Sequence, residues 1–143
     1  MDKIKKLEGI GGWLIVFIMS LFSSLGRMAR ELAPENNTYV NTLSSFEKNI
    51  DTFESLAIVF AIILLVIVMI NFFLKKRRII DLLIFYYSYV IIFSIIDAVL
   101  LSSYYNLDDN SIVIIPIAAN MISAAIWISY FQRSVRVKNT FIN

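Results

Sequence analysis

Residues 75–104 read KKRRIIDLLIFYYSYVIIFSIIDAVLLSSY, and the reading of this stretch decides the fold. Four consecutive cations, Lys75, Lys76, Arg77 and Arg78, precede an apolar run from Ile79 to Tyr104. At ~1.5 Å per residue that run is roughly 39 Å long as a helix, enough to cross a bilayer with some tilt. Two carboxylates interrupt it, Asp81 near the basic end and Asp97 well inside. An ionisable group at the depth of Asp97 is costly in hydrocarbon, which makes it a candidate functional residue.

The rest of the chain has the same character. Of 143 residues, 59% are hydrophobic and 17% charged, and the mean hydropathy is +0.75. A soluble domain carries about a quarter of its residues charged, and here the apolar excess falls in long runs, so lipid is the expected solvent. There is no Cys and no His. Disulfides, thiolate metal sites, Cys nucleophiles, His general catalysis and the usual haem ligation are therefore excluded. No residue set suggests a catalytic centre, a metal site or another cofactor, and nothing beyond charge points to nucleic acid.

Working outward gives an all-α, integral membrane four-helix bundle in a single membrane domain. Its spans are expected at about 10–29, 56–74, 79–104 and 112–132. The first follows a short basic start (Lys3, Lys5, Lys6) and is read as an uncleaved span rather than a signal peptide, because Arg27 to Arg30 follow where a small-residue cleavage site would stand. Residues 30–55 form one longer outer segment. In it Pro34 ends a helix, Glu35-Asn36-Asn37-Thr38 is turn-like, and Ser44-Ser45-Phe46-Glu47 fits a capping box. Leu43, Phe46, Ile50 and Phe53 recur at helical spacing, so an amphipathic helix is expected to lead into the second span. The acidic link Asn106–Asn110 joins spans three and four, and 133–143 is a cytoplasmic tail.

Charge orients the bundle. Placing both termini in the cytoplasm puts ten of the thirteen Lys and Arg residues inside, leaving Arg27, Arg30 and Lys48 outside. Lys75, Lys76, Arg77 and Arg78, with Arg133, Arg136 and Lys138 of the tail, serve as topology anchors and as contacts for anionic lipids on the cytoplasmic side. Trp13, Trp127 and Tyr130 fall near the inner surface and Tyr104 and Tyr105 near the outer one, as in an aromatic belt.

The third and fourth spans share a short link and should be antiparallel neighbours, which brings Asp97 and Asn120 to similar depth. A hydrogen bond between them is expected. Tyr87, Ser94 and Asp97 fall on one helix face, with Asn120 and Ser123 opposite, as an intramembrane polar seam. Such a seam either accepts a proton, an ion or a small polar ligand, or only holds two helices in register.

Gly9-Ile10-Gly11-Gly12-Trp13-Leu14 at one end, and Trp127-Ile128-Ser129-Tyr130-Phe131 with Ser134-Val135-Arg136-Val137-Lys138-Asn139-Thr140-Phe141 at the other, resemble the motifs of a bacterial family of small four-span membrane proteins, the domain of unknown function DUF2569. Ser129 departs from the Pro expected there in many members. The resemblance implies the four-span architecture and a bacterial inner (cytoplasmic) membrane, and it implies no activity. The expected role is a non-enzymatic accessory or interaction protein, whose outer segment and basic tail meet a membrane-protein partner or a second copy. The alternative is a small transporter or channel component that uses Asp97 and Asn120. Small multidrug transporters have similar size, but their carboxylate lies in the first span, which here is bare apart from Glu8.

Because the chain lacks cysteine, its topology is directly testable. Single cysteines at Ser44 and Asn139 should react with an impermeant thiol reagent from opposite faces of the membrane; labelling of both from one face contradicts the four-span reading.

Overall fold

The computed structural model describes residues 9–33, 44–104 and 111–142. The basic start, Glu8, the 34–43 turn region with its leading Leu43, Tyr105 and the acidic link lie outside the described residues. Among the described residues five helices follow in order: α1 (Trp13–Glu31), α2 (Ser45–Phe73), α3 (Ile79–Tyr104), α4 (Ser111–Arg133) and the short α5 (Val135–Thr140). The first four are each long and apolar enough to cross a membrane. Helices adjacent in sequence pack together, in the order α1 on α2, α2 on α3 and α3 on α4.

Helix limits follow local chemistry. Ser44 caps α2: its hydroxyl accepts from the Glu47 N–H at 3.3 Å, and its own N–H donates to Glu47 Oε2 at 2.6 Å. That second bond holds the exposed Glu47 carboxyl below the usual carboxylate range. The cap therefore contributes above that range and weakens as pH falls through it. No Gly or Pro interrupts residues 45–74, so the expected amphipathic helix and the second span are one continuous helix.

The α2–α3 connection is tight. Lys75 sits at φ 53, its N–H bonded to Phe72 O (3.0 Å), while the Lys76 N–H reaches Asn71 O (2.9 Å). This is a Schellman end with lysine where glycine is the usual residue. The four cations remain exposed.

Outward faces carry large apolar side chains along every span, among them Met19, Phe22, Ile63, Phe85, Ile92 and Ile122. A soluble monomer seldom exposes such a continuous apolar surface, and lipid accounts for it. Burial is uneven along the bundle. All side chains less than 2% exposed, such as Phe17, Leu65, Phe72, Leu83 and Phe131, lie in the half holding the start of α1 and the end of α4. On α3 no described residue beyond Tyr87 is buried, and on α4 none before Ala124.

An aromatic cluster fills the well-packed end. Phe17 lies 5.5 Å from Phe72, 5.0 Å from Trp127 and 4.8 Å from Phe131, ring centre to ring centre. Phe141 closes it, 5.2 Å from Phe72 and 5.7 Å from Phe131. Trp127 packs inside the bundle, and the tail folds back onto it: Val137, Thr140 and Phe141 are all buried. The apolar side chains Val137 and Phe141 of the tail join the core formed by the four helix ends.

The sequence motifs at the two chain ends meet at this place. Thr140 Oγ1 donates to Gly9 O (3.4 Å) and to Arg136 O (2.7 Å). The Arg136 guanidinium lies over Gly11, where an added Cβ would come within 2.5 Å of it. Gly12 adopts φ 57, ψ −129 and starts α1 through a turn in which Leu14 N–H bonds Gly11 O (3.3 Å). L-residues adopt that backbone only under strain. Gly12→Ala should therefore lower the unfolding free energy in detergent by ~1–3 kcal/mol. Gly26→Ala, in the α1 interior with open space around it, should be neutral or stabilising by up to ~1 kcal/mol. A denaturant titration finding equal effects contradicts the turn's role.

Candidate functional site

At the opposite end the four spans separate around a cavity of about 640 Å³. Each helix contributes a stripe at three- and four-residue spacing, so one face of each helix lines it. From α1 come Arg27, Met28 and Glu31; from α2, Asp51, Glu54, Ile58 and Ala61. From α3 come Val90, Ser94, Asp97 and Leu101, with Tyr89, Phe93 and Ala98 beside them, and from α4, Val113, Pro116 and Asn120. The volume suits a drug-sized ligand.

Its walls differ in character. One side is acidic, with carboxyls from Glu31, Asp51, Glu54 and Asp97 and the single guanidinium of Arg27. Another is aromatic: Tyr89 and Phe93, one turn apart, stack at 6.4 Å with 9° between planes. Tyr89 is held in place by its hydroxyl, which donates across the helix contact to Ala57 O at 2.9 Å, and by the edge of Phe60 at 4.9 Å. The rest is aliphatic apart from Ser94 and Asn120.

The cavity does not run through the bundle. One helical turn beyond Asn120, α4 buries Ala124 and then Trp127, and two turns before Ser94, α3 buries Tyr87 against Tyr86 with ring centres 5.2 Å apart. Beneath these lies the aromatic cluster around Phe17. The cavity is thus a vestibule floored by packed side chains and, among the described residues, open where α1 ends and α2 begins.

Asp97 and Asn120 both line the vestibule, as the sequence suggests, but they are not bonded to each other. Asn120 Nδ2 donates to Ser94 Oγ at 2.8 Å, and the Ser94 hydroxyl donates back to Val90 O at 2.8 Å. Ser94 is the nearer partner because it faces α4, whereas Asp97, one turn on, meets the Glu54 side chain of α2. Asp97 Oδ1 is buried and receives no hydrogen bond among the described residues. Tyr87 shares the helix face of Ser94 but sits two turns deeper, about 10 Å, and so belongs to the floor. Ser123 is half-buried and does not line the cavity. The seam is therefore made of Ser94, Asp97 and Asn120.

Sequence reasoning missed Arg27, Glu31, Asp51, Glu54, Tyr89 and Phe93. A usable signal existed: Asp51, Glu54, Ile58 and Ala61 form one helical stripe crossing the assumed boundary between outer segment and second span. No group of three or more carboxyls converges closely enough to hold a metal ion among the described residues.

The seven cations assigned to lipid contact lie at the opposite end. Lys75, Lys76, Arg77, Arg78, Arg133 and Lys138 are exposed, while Arg136 is partly buried against Gly11.

The sequence model of a family described as "Protein of unknown function (DUF2569)" matches residues 7–142. No curated protein and no solved structure matches the chain.

Proposed function

The chain belongs to the DUF2569 family, and we propose that it is a non-enzymatic multi-pass protein of a bacterial inner membrane that binds a small ligand in the vestibule. The observation that carries this reading is the cavity itself. It brings polar groups of all four spans together around Asp97, and its size fits a small molecule better than a packing defect. A helix-register device needs no such space; the Ser94–Asn120 bond alone would serve.

The floor speaks against a continuous pore. A ligand enters and leaves by the same mouth unless the aromatic cluster reorganises, so the resting form acts as a receptor or as one state of a transporter. Positive-inside bias turns the mouth outward and the six exposed cations of the other end toward the cytoplasm, against anionic lipid. The chain's accessory role is then ligand capture at the outer surface on behalf of a membrane partner. Enzyme chemistry has little to work with: among the described residues Asp97 and Glu54 are the carboxyls that meet across the vestibule, and the sequence has no His or Cys to relay a proton or attack.

A thermal-shift panel of amines, carboxylic acids and neutral polyols on the purified chain tests this. A ligand at a hundred times its Kd stabilises by about 2.7 kcal/mol. Ala98→Trp, which fills the vestibule from α3, should abolish that shift while leaving the unliganded melting point near wild type. A panel without any shift, or one unaffected by Ala98→Trp, contradicts the reading.

A further inference from the structure

We propose that the vestibule takes an organic cation with an apolar body, and that each cation bound displaces one proton shared in the empty state by Glu54 and Asp97. The proposal rests on the vestibule being a ligand site, and it adds the ligand's chemical class and the exchange that accompanies its binding.

The proton follows from hydrogen-bond chemistry. Glu54 of α2 and Asp97 of α3 lie within side-chain hydrogen-bonding reach. Ionised carboxylates are acceptors only, so two of them at that separation repel and leave their lone pairs unmatched. Asp97 Oδ1 is such an oxygen, buried and without a donor among the described residues. A proton on either carboxyl supplies the missing donor and removes the repulsion. Other charged or titratable groups facing the pair do not replace it. From α1 come Arg27 and Glu31, from α2 also Asp51, and from α3 the Tyr89 hydroxyl, which is already committed to Ala57 O. The residues of α4 that line the vestibule carry no charge, since Asn120 is neutral and bonded to Ser94.

The ligand class follows from the walls. Among the described lining residues, four carboxyls against one guanidinium favour a cation. A bare metal ion is a poor fit, because the carboxyls do not converge as three or more ligands on one point among the described residues. A ring-bearing cation matches both sides instead. The rings of Tyr89 and Phe93 take its apolar body or attract its charge, while Ile58, Val90 and Leu101 exclude water. When the cation settles against the pair, its charge replaces that of the proton. The O–H bond breaks, both carboxyls are left ionised, and the proton leaves through the mouth. One positive charge enters and one departs.

Benzyltrimethylammonium is a suitable probe, since it cannot titrate, and its uncharged carbon isostere is the control. Binding to the full chain in nanodiscs is measured by calorimetry at several pH values and in buffers of different ionisation enthalpy. The expected result is release of one proton per cation, an affinity that falls about tenfold for each pH unit lowered, and no binding of the isostere. Glu54→Gln, whose amide supplies a permanent donor to Asp97, should weaken binding and remove its pH dependence. If that variant fails to fold, Asp97→Asn should do the same. Cation binding that is independent of pH in wild type overturns the exchange and leaves the vestibule as a binding site. Binding of the isostere as tightly as of the cation overturns the ligand class. No binding of either probe overturns the proposal, and the broader panel with Ala98→Trp then decides separately whether the vestibule binds anything.

Discussion

Phe17 is the contact on which the rest of the bundle depends. Its ring touches Phe72 of α2 and both Trp127 and Phe131 of α4, and Phe141 covers the last two phenylalanines from beyond α5. Between helices in lipid there is no hydrophobic gain, because the acyl chains are as apolar as leucine; association relies on close van der Waals packing and a few polar bonds. Large rings in edge-on contact supply much of that packing in a small space. With one end fastened, the other end can afford to be loose. The aromatic cluster holds one end of the bundle, and the vestibule lies at the other.

This division explains the chain's two terminal motifs. The glycines before α1 let the Arg136 guanidinium and the Thr140 hydroxyl approach the backbone, and Gly12 turns the chain so that Leu14 and Phe17 point inward. Ser134 restarts a helix through its cap to the Val137 N–H, which aims Val137 and Phe141 at the same core. Segments more than a hundred residues apart thus form one structural unit. Their motif chemistry belongs to closing the bundle, and the vestibule at the other end is built from residues outside both motifs.

How far the sequence could be read follows from the range of each interaction. Span positions, the Ser44 cap and the antiparallel pairing of α3 with α4 rest on local composition, spacing and short links, and they are legible. So is the membership of Asp97, Asn120 and Ser94 in one site. Depth was less legible than face: Tyr87 shares a face with Ser94, yet two turns of rise carry it into the floor. Which polar group bonds to which depends on helix rotation of a few tens of degrees, so Asn120 to Ser94 rather than Asp97 could not be read off spacing. Glu54 was hidden for a different reason. A boundary drawn where apolar composition begins separated it from the helix that carries it to Asp97.

The central claim is an aqueous vestibule that reaches Asp97 from one face of the membrane and is sealed from the other. Its most direct test is the accessibility of a single cysteine placed at Ser94 in this cysteine-free chain, in sealed vesicles of known orientation. An impermeant thiol reagent should modify it only from the face that also exposes a cysteine at Ser44, and not from the face of Lys75–Arg78. Modification from the basic face, or from neither face while the Ser44 control reacts, contradicts the account.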